Sequence, residues 1–243
     1  MTKKLMTPSD RRLLLFDIDG TLITSGGAGE QALKDAMNAR FGVVEDLQGV
    51  SLAGSTDANI AVQLLRRHGL DPEPENIAAL LDEYLTHLPS RMTERNGFLM
   101  PGIISLLEEL HTKPEAVLGL LTGNVERGAK IKLTHYGVWH FFEFGAYADD
   151  HHDRNELGKF AQARAFAKHG EEFPPERIYV IGDTPRDIEC GRAIGAQTVA
   201  IATGQYSLEE LSVYKPDHLF EDFSDTAAVV QVLIGRTSKR IKG

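Results

Sequence analysis

Four short runs of apolar residues stand out along the chain, and within them apolar and polar positions do not alternate. Runs of this kind are typical of strands that are buried on both faces, as in a parallel sheet covered by helices. The four runs are LLLFD (13–17), AVLGLLTGN (116–124), RIYVIGD (177–183) and QTVAIATG (197–204). A fifth run, FFEFGAYADD (141–150), predicts a further strand with weaker ends.

Helical patterns lie between these runs. Apolar residues recur there at helical spacing, so strands and helices are predicted to alternate. The predicted helices cover residues 102–112, 127–137, 159–170 and 187–195, followed after about residue 221 by one amphipathic helix with a frayed end. The predicted fold class is therefore α/β, a doubly wound, Rossmann-like parallel sheet with helices on both faces.

One region departs from this alternation, because many more residues separate the first two predicted strands than separate the later ones. Three helical patterns fill the gap, at residues 29–42, 57–69 and 75–88. Glycine-rich segments flank them, SGGAG (25–29) and RNGFLMPG (95–102), and would act as hinges. We therefore predict a small α-helical domain at 24–98, inserted into an α/β core formed by 1–23 and 99–243.

Composition and charge narrow the class of protein. Apolar residues make up 42% of the chain and charged residues 25%, which argues against disorder. The net charge is −9, and nucleic-acid binders usually carry a basic balance or stripe, so no nucleic-acid partner is expected. Cys190 is the only cysteine, so a disulfide within the chain is impossible and a reducing compartment is expected. The basic residues Lys239, Arg240 and Lys242 are interpreted as a solvated end.

Membrane insertion is not expected from the sequence. No apolar stretch approaches the roughly 20 residues that cross a bilayer. The segment MTKKLMTPSDRR (1–12) lacks the apolar stretch of a secretory signal. We expect a cytoplasmic protein without a membrane partner, either a monomer or a homodimer.

Polar residues follow the predicted strands at their carboxyl ends, where open α/β sheets bind ligands. Asp17 and Asp19 follow the first strand, residues 122–124 the second, and Asp183 and Asp187 a later one. Taken singly they fit a turn or helix caps. Together, carboxylates roughly 4 Å apart would repel by about 4 kcal/mol per pair, so the cluster predicts a compensating cation. Carboxylate oxygens favour Mg²⁺, which keeps positions open for phosphate.

A bound phosphate would need further donors and a positive charge. Thr122 and the backbone N–H groups after it would supply hydrogen bonds. Arg154 and Lys159 both follow the fifth apolar run and are alternative cations. The neighbouring His151 and His152 are interpreted as a polar loop, since no further ligands show the spacing of a zinc site.

Four segments, in order, resemble the motifs of the haloacid-dehalogenase-like (HAD) hydrolase superfamily. They are DIDGT (17–21), LLTGN (120–124), a basic residue near 154–159, and GDTPRD (182–187). The insert is similar to the helical cap of the phosphoglycolate-phosphatase-like branch. The resemblance implies a HAD core with an inserted cap, and a Mg²⁺-dependent phosphatase that acts on a small phosphorylated metabolite.

The resemblance also implies a role for each motif residue. Asp17 matches the nucleophile, which forms an aspartyl-phosphate intermediate, and Asp19 matches the general acid/base. The predicted phosphate-binding residues are Thr122, Gly123, Asn124 and Arg154. The predicted metal ligands are Asp17, Asp183, Asp187 and Asp19, the last through its backbone carbonyl.

The third motif departs from the family, because DRNELGKF (153–160) lacks the usual lysine–proline pair. Arg154 fits the family spacing better than Lys159, and arginine would bind phosphate in a forked geometry that lysine cannot copy. The segment LAGSTDANI (52–60) resembles a cap loop written GxTD, with a helix cap at Ser55 or Thr56 as the structural alternative.

Several activities stay open at this point. Hydrolysis of a small monoester such as 2-phosphoglycolate is the preferred reading, with a phosphotransferase or mutase of the same superfamily as the alternative. Outside the superfamily, GAGEQA (27–32) with an acid in VVED (43–46) matches a dinucleotide-binding fingerprint, although its glycines lie far beyond the first strand. A phosphoacceptor module without turnover is the remaining alternative, and the insert argues against it.

Overall fold

The computed structural model of the chain describes residues 10–235. Its strands are β1 Arg12–Phe16, β2 Ile23–Thr24, β3 Phe98–Leu99, β4 Ala116–Leu121, β5 Gly145–Ala146, β6 Ile178–Gly182, β7 Gln197–Ile201 and β8 His218–Phe220. Six of them form one sheet in the order β5-β4-β1-β6-β7-β8, and all five of its neighbouring pairs are parallel. The chain leaves the central β1 first to one side and then to the other, which confirms the doubly wound α/β fold.

The helices begin and end close to their predicted bounds, with two exceptions and one helix that was not predicted. They are α1 Ala28–Phe41, α2 Asp57–Arg67, α3 Pro74–Glu94, α4 Ile103–His111, α5 Glu126–His135, α6 Arg154–His169, α7 Pro185–Ala193, α8 Leu208–Val213 and α9 Thr226–Ile234. The α6 helix begins at Arg154 instead of residue 159, because Asp153 caps it by accepting from the Asn155 N–H at 3.0 Å. The α3 helix continues through Pro89 to Glu94 instead of ending at residue 88. The helix that was not predicted is α8.

The predicted strand at 141–150 is wrong in length. Only Gly145 and Ala146 pair with β4, and Trp139–Phe141 forms a 3₁₀ turn. The strand ends there because the chain turns at once: the Asp150 N–H donates to the Tyr147 carbonyl at 3.0 Å, and the Tyr147 N–H donates to the Asp150 carboxylate at 2.9 Å.

The sheet is buried on both faces, as its unbroken apolar runs predict. Leu14 and Phe16 of β1 pack in one cluster with side chains of α4, α5 and α9. Leu13 and Leu15 point the other way and pack with side chains of α6 and α7. The packing of both faces fixes the carboxyl end of β1 at the centre of the sheet edge.

The inserted helices α1, α2 and α3 share a third apolar cluster. The chain leaves for this region through β2 and returns through β3, which pair antiparallel with Ile23 opposite Leu99. The division into a core and a cap at residues 24–98 stays a prediction.

Two expectations concern residues at the ends of the chain. The segments 1–9 and 236–243, with the basic residues Lys239, Arg240 and Lys242 and the expected fraying after α9, lie outside the described residues. Within residues 10–235, no helix has the length and apolar character needed to cross a bilayer.

Candidate active site

Asp17 is the first residue after the central strand. Its backbone N–H donates to the Ile181 carbonyl at 2.9 Å, which continues the pairing of β1 with β6 and holds the residue in place. The residue is 5% exposed. Its Oδ1 lies 3.0 Å from Nη2 of Arg154. Asp17 is therefore a fixed carboxylate at the bottom of the site.

The turn after Asp17 brings the first and fourth motifs together. Gly20 has a φ of 87°, and a Cβ there would lie 2.3 Å from the carboxylate of Asp183. Glycine is needed for both reasons. The next residue, Thr21, donates from Oγ1 to Oδ1 of Asp183 at 2.9 Å.

Asp183 and Asp187 come from β6 and the helix that follows it. Asp183 follows the strand directly and is 3% exposed, whereas Asp187 lies in the first turn of α7 and is 2% exposed. Oδ2 of Asp187 accepts hydrogen bonds from the backbone N–H of Thr184 at 3.0 Å and from its hydroxyl at 2.7 Å. Oδ1 of Asp187 pairs with Arg154.

Three buried carboxylates, those of Asp17, Asp183 and Asp187, thus form a cluster. One oxygen from each lies within 4.8 Å of the others. Burial raises the pKa of Asp17 to about 6, and the charges of Asp187 and Asp19 add to this against the opposing effect of Arg154. Burial, together with Asp187 and Asp17, also raises the pKa of Asp183 well above its usual value. The cluster carries more negative charge than its surroundings balance.

This donor set fits a divalent cation. Hard carboxylate oxygens close together are the ligands that Mg²⁺ takes in proteins. Among the described residues, the cation paired with the cluster is Arg154, one positive charge against three carboxylates. Asp19 was predicted as a ligand through its backbone carbonyl, and its carboxylate lies outside this group of three.

The structure separates the two candidate cations of the third motif. Arg154 is 7% exposed; its Nη2 contacts Asp17 and Asp187, and its Nη1 donates to the Gly54 carbonyl at 3.2 Å. Its Nε is buried and has no hydrogen-bond acceptor within the described part of the chain. Lys159 points away, with a side chain 62% exposed and paired with Glu156 at 2.6 Å. Arg154 is thus the residue of this motif that lies at the site.

Residues Thr122 to Asn124 follow β4, and Gly123 and Asn124 line the same cavity. Thr122 is fully buried, and its Oγ1 accepts from the side-chain amide of Asn124 at 2.9 Å. Two donors remain without an acceptor among residues 10–235, the Thr122 hydroxyl and the Gly123 backbone N–H. Gly123 lines the cavity, so its N–H is available to an anion there.

Asp19 also lines the cavity, in different surroundings from those of Asp17. Its side chain is 41% exposed. Its Oδ2 accepts from Nζ of Lys132 at 2.6 Å and from Nδ2 of Asn124 at 2.8 Å. Burial disfavours the ammonium of Lys132, but the charge of Asp19 more than offsets this, and the pKa of Lys132 lies above its usual value.

A loop of the insert closes over these residues. Thr56 caps α2, accepting from the Asn59 N–H at 3.2 Å, and donates from its hydroxyl to the His152 carbonyl at 2.9 Å. The Asp57 N–H donates to the Gly123 carbonyl at 2.7 Å, and Oδ2 of Asp57 accepts from the Val125 N–H at 2.9 Å. The loop and the strand ends enclose a cavity of about 300 Å³.

Two residues of this site were not singled out in the sequence analysis, Lys132 and Asp57. A signal for Lys132 existed, because it falls in the apolar stripe of α5, between the buried residues Ala129 and Leu133. A lysine at an inward position needs a partner. Asp57 is part of the GxTD segment, but only the structure shows that it accepts from Val125, 68 residues along the chain.

Other motif candidates lie elsewhere or in other contexts. His151 and His152 stack on each other with ring centroids 4.5 Å apart, and the one possible metal cluster among the described residues contains neither. The segment GAGEQA (27–32) opens α1 of the insert after the short β2, not after a strand of the main sheet. The context that a dinucleotide fingerprint requires is therefore missing.

Known proteins resemble the chain over most of its length. A sequence model of the family described as haloacid dehalogenase-like hydrolase matches residues 14–201. The phosphoglycolate phosphatase of Vibrio cholerae is 25% identical over 230 residues, which cover 91% of this chain and 97% of that protein. The glyceraldehyde 3-phosphate phosphatase of Methanopyrus kandleri is 28% identical over 217 residues, covering 80% and 85%.

A solved structure shares the fold. CbbY from Rhodobacter sphaeroides, determined in complex with phosphate, superposes with a TM-score of 0.71 at 18% identity, covering 88% of this chain and 96% of that chain. The family match and the relatives confirm the resemblance that the four sequence motifs indicate.

Proposed function

Because the chain belongs to the haloacid dehalogenase-like hydrolase family, in its phosphoglycolate-phosphatase-like branch, we propose that it is a Mg²⁺-dependent phosphatase acting on a small phosphate monoester. The reaction proceeds through an aspartyl-phosphate on Asp17. The main support is the convergence on one cavity of the side chains of Asp17, Asp19 and Arg154 and of the residues Gly123 and Asn124.

The first half of the reaction transfers the phosphoryl group to the protein. A carboxylate oxygen of Asp17 attacks phosphorus, and the bond from phosphorus to the ester oxygen breaks. The carboxyl group of Asp19 gives its proton to the departing oxygen, which leaves as an alcohol.

The second half returns the protein to its starting state. A water molecule attacks the phosphorus of the aspartyl-phosphate, and Asp19 takes the proton of that water. The acyl–phosphate bond breaks, which frees Asp17 as a carboxylate and releases inorganic phosphate. The net reaction is monoester plus water to alcohol plus phosphate.

Phosphate binding is assigned to Thr122, Gly123, Asn124 and Arg154. Among residues 10–235 the Thr122 hydroxyl, the Gly123 backbone N–H and the buried Nε of Arg154 have no acceptor, whereas the Asn124 backbone N–H already donates to Oγ1 of Thr122 at 3.3 Å. Asp17, Asp183 and Asp187 would hold Mg²⁺, with the backbone carbonyl of Asp19 as a further ligand. The ion would supply positive charge that offsets the carboxylates and the phosphoryl oxygens.

The helical insert is assigned the role of a cap. Its loop contacts Gly123, Val125 and His152 of the core, and it closes the cavity from above. Closure of such a module excludes bulk water from the reacting group and lets its side chains select the substrate.

The charge of the cavity favours one substrate class. Its lysine and its arginine, Lys132 and Arg154, both already pair with carboxylates, and Asp57 and Glu30 add further acidic groups to the walls. A monoester whose remainder is uncharged, such as a small hydroxy-aldehyde or polyol phosphate, needs no further cation. 2-Phosphoglycolate, which carries a carboxylate, is the alternative.

The test compares wild type with Asp17→Asn. Wild type is expected to release phosphate from p-nitrophenyl phosphate over many turnovers with Mg²⁺ and to stop when the metal is chelated. The variant is expected to be inactive, and near-full activity of Asp17→Asn would overturn the assignment. A panel containing glyceraldehyde 3-phosphate, glycerol phosphate and 2-phosphoglycolate then ranks the substrates, and product analysis separates hydrolysis from transfer to a second sugar.

A further inference from the structure

Lys132 is a buried ammonium that belongs to none of the four motifs. Its Nζ donates to Oδ2 of Asp19 at 2.6 Å and to Oδ1 of Asn124 at 2.7 Å. The amide of Asn124 donates in turn to the same oxygen of Asp19 at 2.8 Å. The three side chains therefore form a closed ring of hydrogen bonds, with Asp19 as its only member exposed to the cavity by more than a third.

Burying the ammonium of Lys132 costs folding free energy, so a lysine at this position indicates a function. Its side chain is 6% exposed and lies on the inward face of α5, where an apolar residue would pack without desolvating a charge. Gly29 of the insert lies against it: a Cβ there would be in ordinary contact, 3.7 Å from both Nζ of Lys132 and the hydroxyl of Tyr84. Core and insert together thus enclose the ammonium beside Asp19.

The two carboxylate oxygens of Asp19 differ in their hydrogen bonds. Both donors, Lys132 and Asn124, bond to Oδ2. Oδ1 accepts from no residue within 10–235. A charge-assisted bond and an amide bond on one oxygen fix the plane of the carboxyl group, because each bond is directional. The other oxygen is then the one free to carry a proton.

We propose that Lys132 is a positioning residue that pins Oδ2 of Asp19, so that Oδ1 gives its proton to the leaving oxygen and takes one from water. This rests on the proposed function, since it assigns Asp19 to proton transfer. The competing role, an anchor for a second anionic group of the substrate, requires Lys132 to leave Asp19.

The experiment uses the full chain with Mg²⁺ and the variant Lys132→Met, which keeps the length of the side chain and removes its charge. The control is Lys130→Met, an exposed lysine two residues earlier on the same helix. Each protein is assayed with p-nitrophenyl phosphate, whose leaving group needs no proton, and with the best alkyl phosphate found in the substrate panel.

The expected result is a split between the two substrates. For Lys132→Met, kcat/KM for the alkyl phosphate falls about 100-fold, the loss typical of a group misplaced by about 1 Å. For p-nitrophenyl phosphate, kcat/KM stays within about 3-fold, while a burst of nitrophenolate precedes a slowed steady state, because attack by water on the aspartyl-phosphate still needs Asp19. Lys130→Met behaves as wild type with both substrates.

Two further variants guard against a folding defect. Lys132→Arg restores a cation to the same oxygen and is expected to recover at least a tenth of the alkyl phosphate activity. Adding Lys132→Met to Asp19→Asn is expected to cause no further loss, because the group being positioned is already absent.

Other outcomes would overturn the inference. Equal losses with both substrates and no burst would give Lys132 a structural role only. A raised KM confined to a carboxylate-bearing substrate, with kcat unchanged, would make it the anion anchor. Either result leaves the proposed function standing, whereas full activity of Asp17→Asn would remove the function itself.

Discussion

Asp17 and Asp19 are two residues apart in the chain, yet their surroundings are opposite. The side chain of Asp17 is 6% exposed and lies with two further carboxylates against Arg154, the one cation paired with them among residues 10–235. The side chain of Asp19 is 41% exposed and has a lysine of its own at 2.6 Å. One carboxylate thus lies in an excess of negative charge, and the other in a balanced pair.

The difference shows how one turn can hold two carboxyl groups with separate tasks. In the proposed function the excess of buried negative charge would be offset by a metal, which would keep Asp17 ionised. A carboxyl group that is partly exposed, and held by one oxygen, can exchange a proton through the other. Environments that differ in this way are how paired carboxylates obtain separate roles in acid–base catalysis.

The most direct test of the difference between Asp17 and Asp19 is to neutralise each carboxylate in turn. Asp17→Asn is expected to lose activity by on the order of 10⁴-fold or more and to form no phosphoenzyme, because the attacking oxygen is gone. Asp19→Asn is expected to form a phosphoenzyme with p-nitrophenyl phosphate and to release phosphate about 10²- to 10⁴-fold more slowly. Rapid quenching followed by intact-mass measurement detects the adduct. Detection of the adduct in Asp17→Asn would mean that the roles of nucleophile and general acid/base are exchanged between the two residues.

The excess of negative charge itself can be tested through metal binding. Wild type is expected to gain stability with Mg²⁺, by about 2.7 kcal/mol at 100 times the dissociation constant. In Asp183→Asn one charge of the cluster is removed, so the Mg²⁺-induced shift in Tm should disappear and activity should fall on the order of 10³-fold. A matched change at Asp149→Asn, an acidic residue outside the cluster, should leave the shift intact. An undiminished shift in Asp183→Asn would place the metal elsewhere.

The cation facing Asp17 gives the next largest effect. Hydrogen bonds to charged groups contribute about 1.5–3 kcal/mol, so Arg154→Met should lower kcat/KM by roughly 10- to 150-fold. Lys159→Met is the matched control, since that lysine pairs with Glu156 at the surface, and it should stay within about 2-fold. Phosphate inhibition constants measured on both variants separate lost phosphate binding from a general defect. A larger loss in Lys159→Met would reverse the assignment of the third motif.

The difference between the surroundings of Asp17 and Asp19 also explains which parts of the site the sequence could predict. The residues around Asp17 directly follow the apolar strands. Residues at the carboxyl ends of neighbouring parallel strands lie close together. The spacing of the motifs therefore predicted where Asp17, Thr122 and Asp183 lie. The fold followed in the same way, from apolar runs too long and too continuous for alternating strands.

The Asp19 side could not be predicted as fully. Lys132 reaches Asp19 from the middle of a helix, and the contact depends on how α5 rotates against the sheet. The Asp57–Val125 bond depends on how the insert meets the core. Contacts between elements of this kind leave no spacing rule in the chain. The short β5 is a related case, since its end is set by the turn at Asp150.

Substituting Asp57 is expected to have the smallest effect of these changes, and it tests the contact between the insert and the core directly. Burial raises the pKa of Asp57 to about 6, against the lowering effect of Lys132 and the Val125 N–H. Between about pH 4 and 6 the folded state therefore binds more protons than the unfolded state, and the free energy of unfolding falls as pH rises through this window. Asp57→Asn keeps an acceptor for the Val125 N–H but does not titrate. It should be about 1–3 kcal/mol more stable than wild type at pH 7.5, with the difference vanishing near pH 4.

Urea unfolding from pH 4 to 7.5 measures this difference. Asp71→Asn, an exposed residue of the same insert, serves as the control and should follow wild type throughout. If Asp57→Asn were less stable than wild type by a constant amount at every pH, the carboxylate would contribute through its hydrogen bond alone. The contact between insert and core would then be held by a permanently charged Asp57, and closure of the cavity would not depend on pH through this residue.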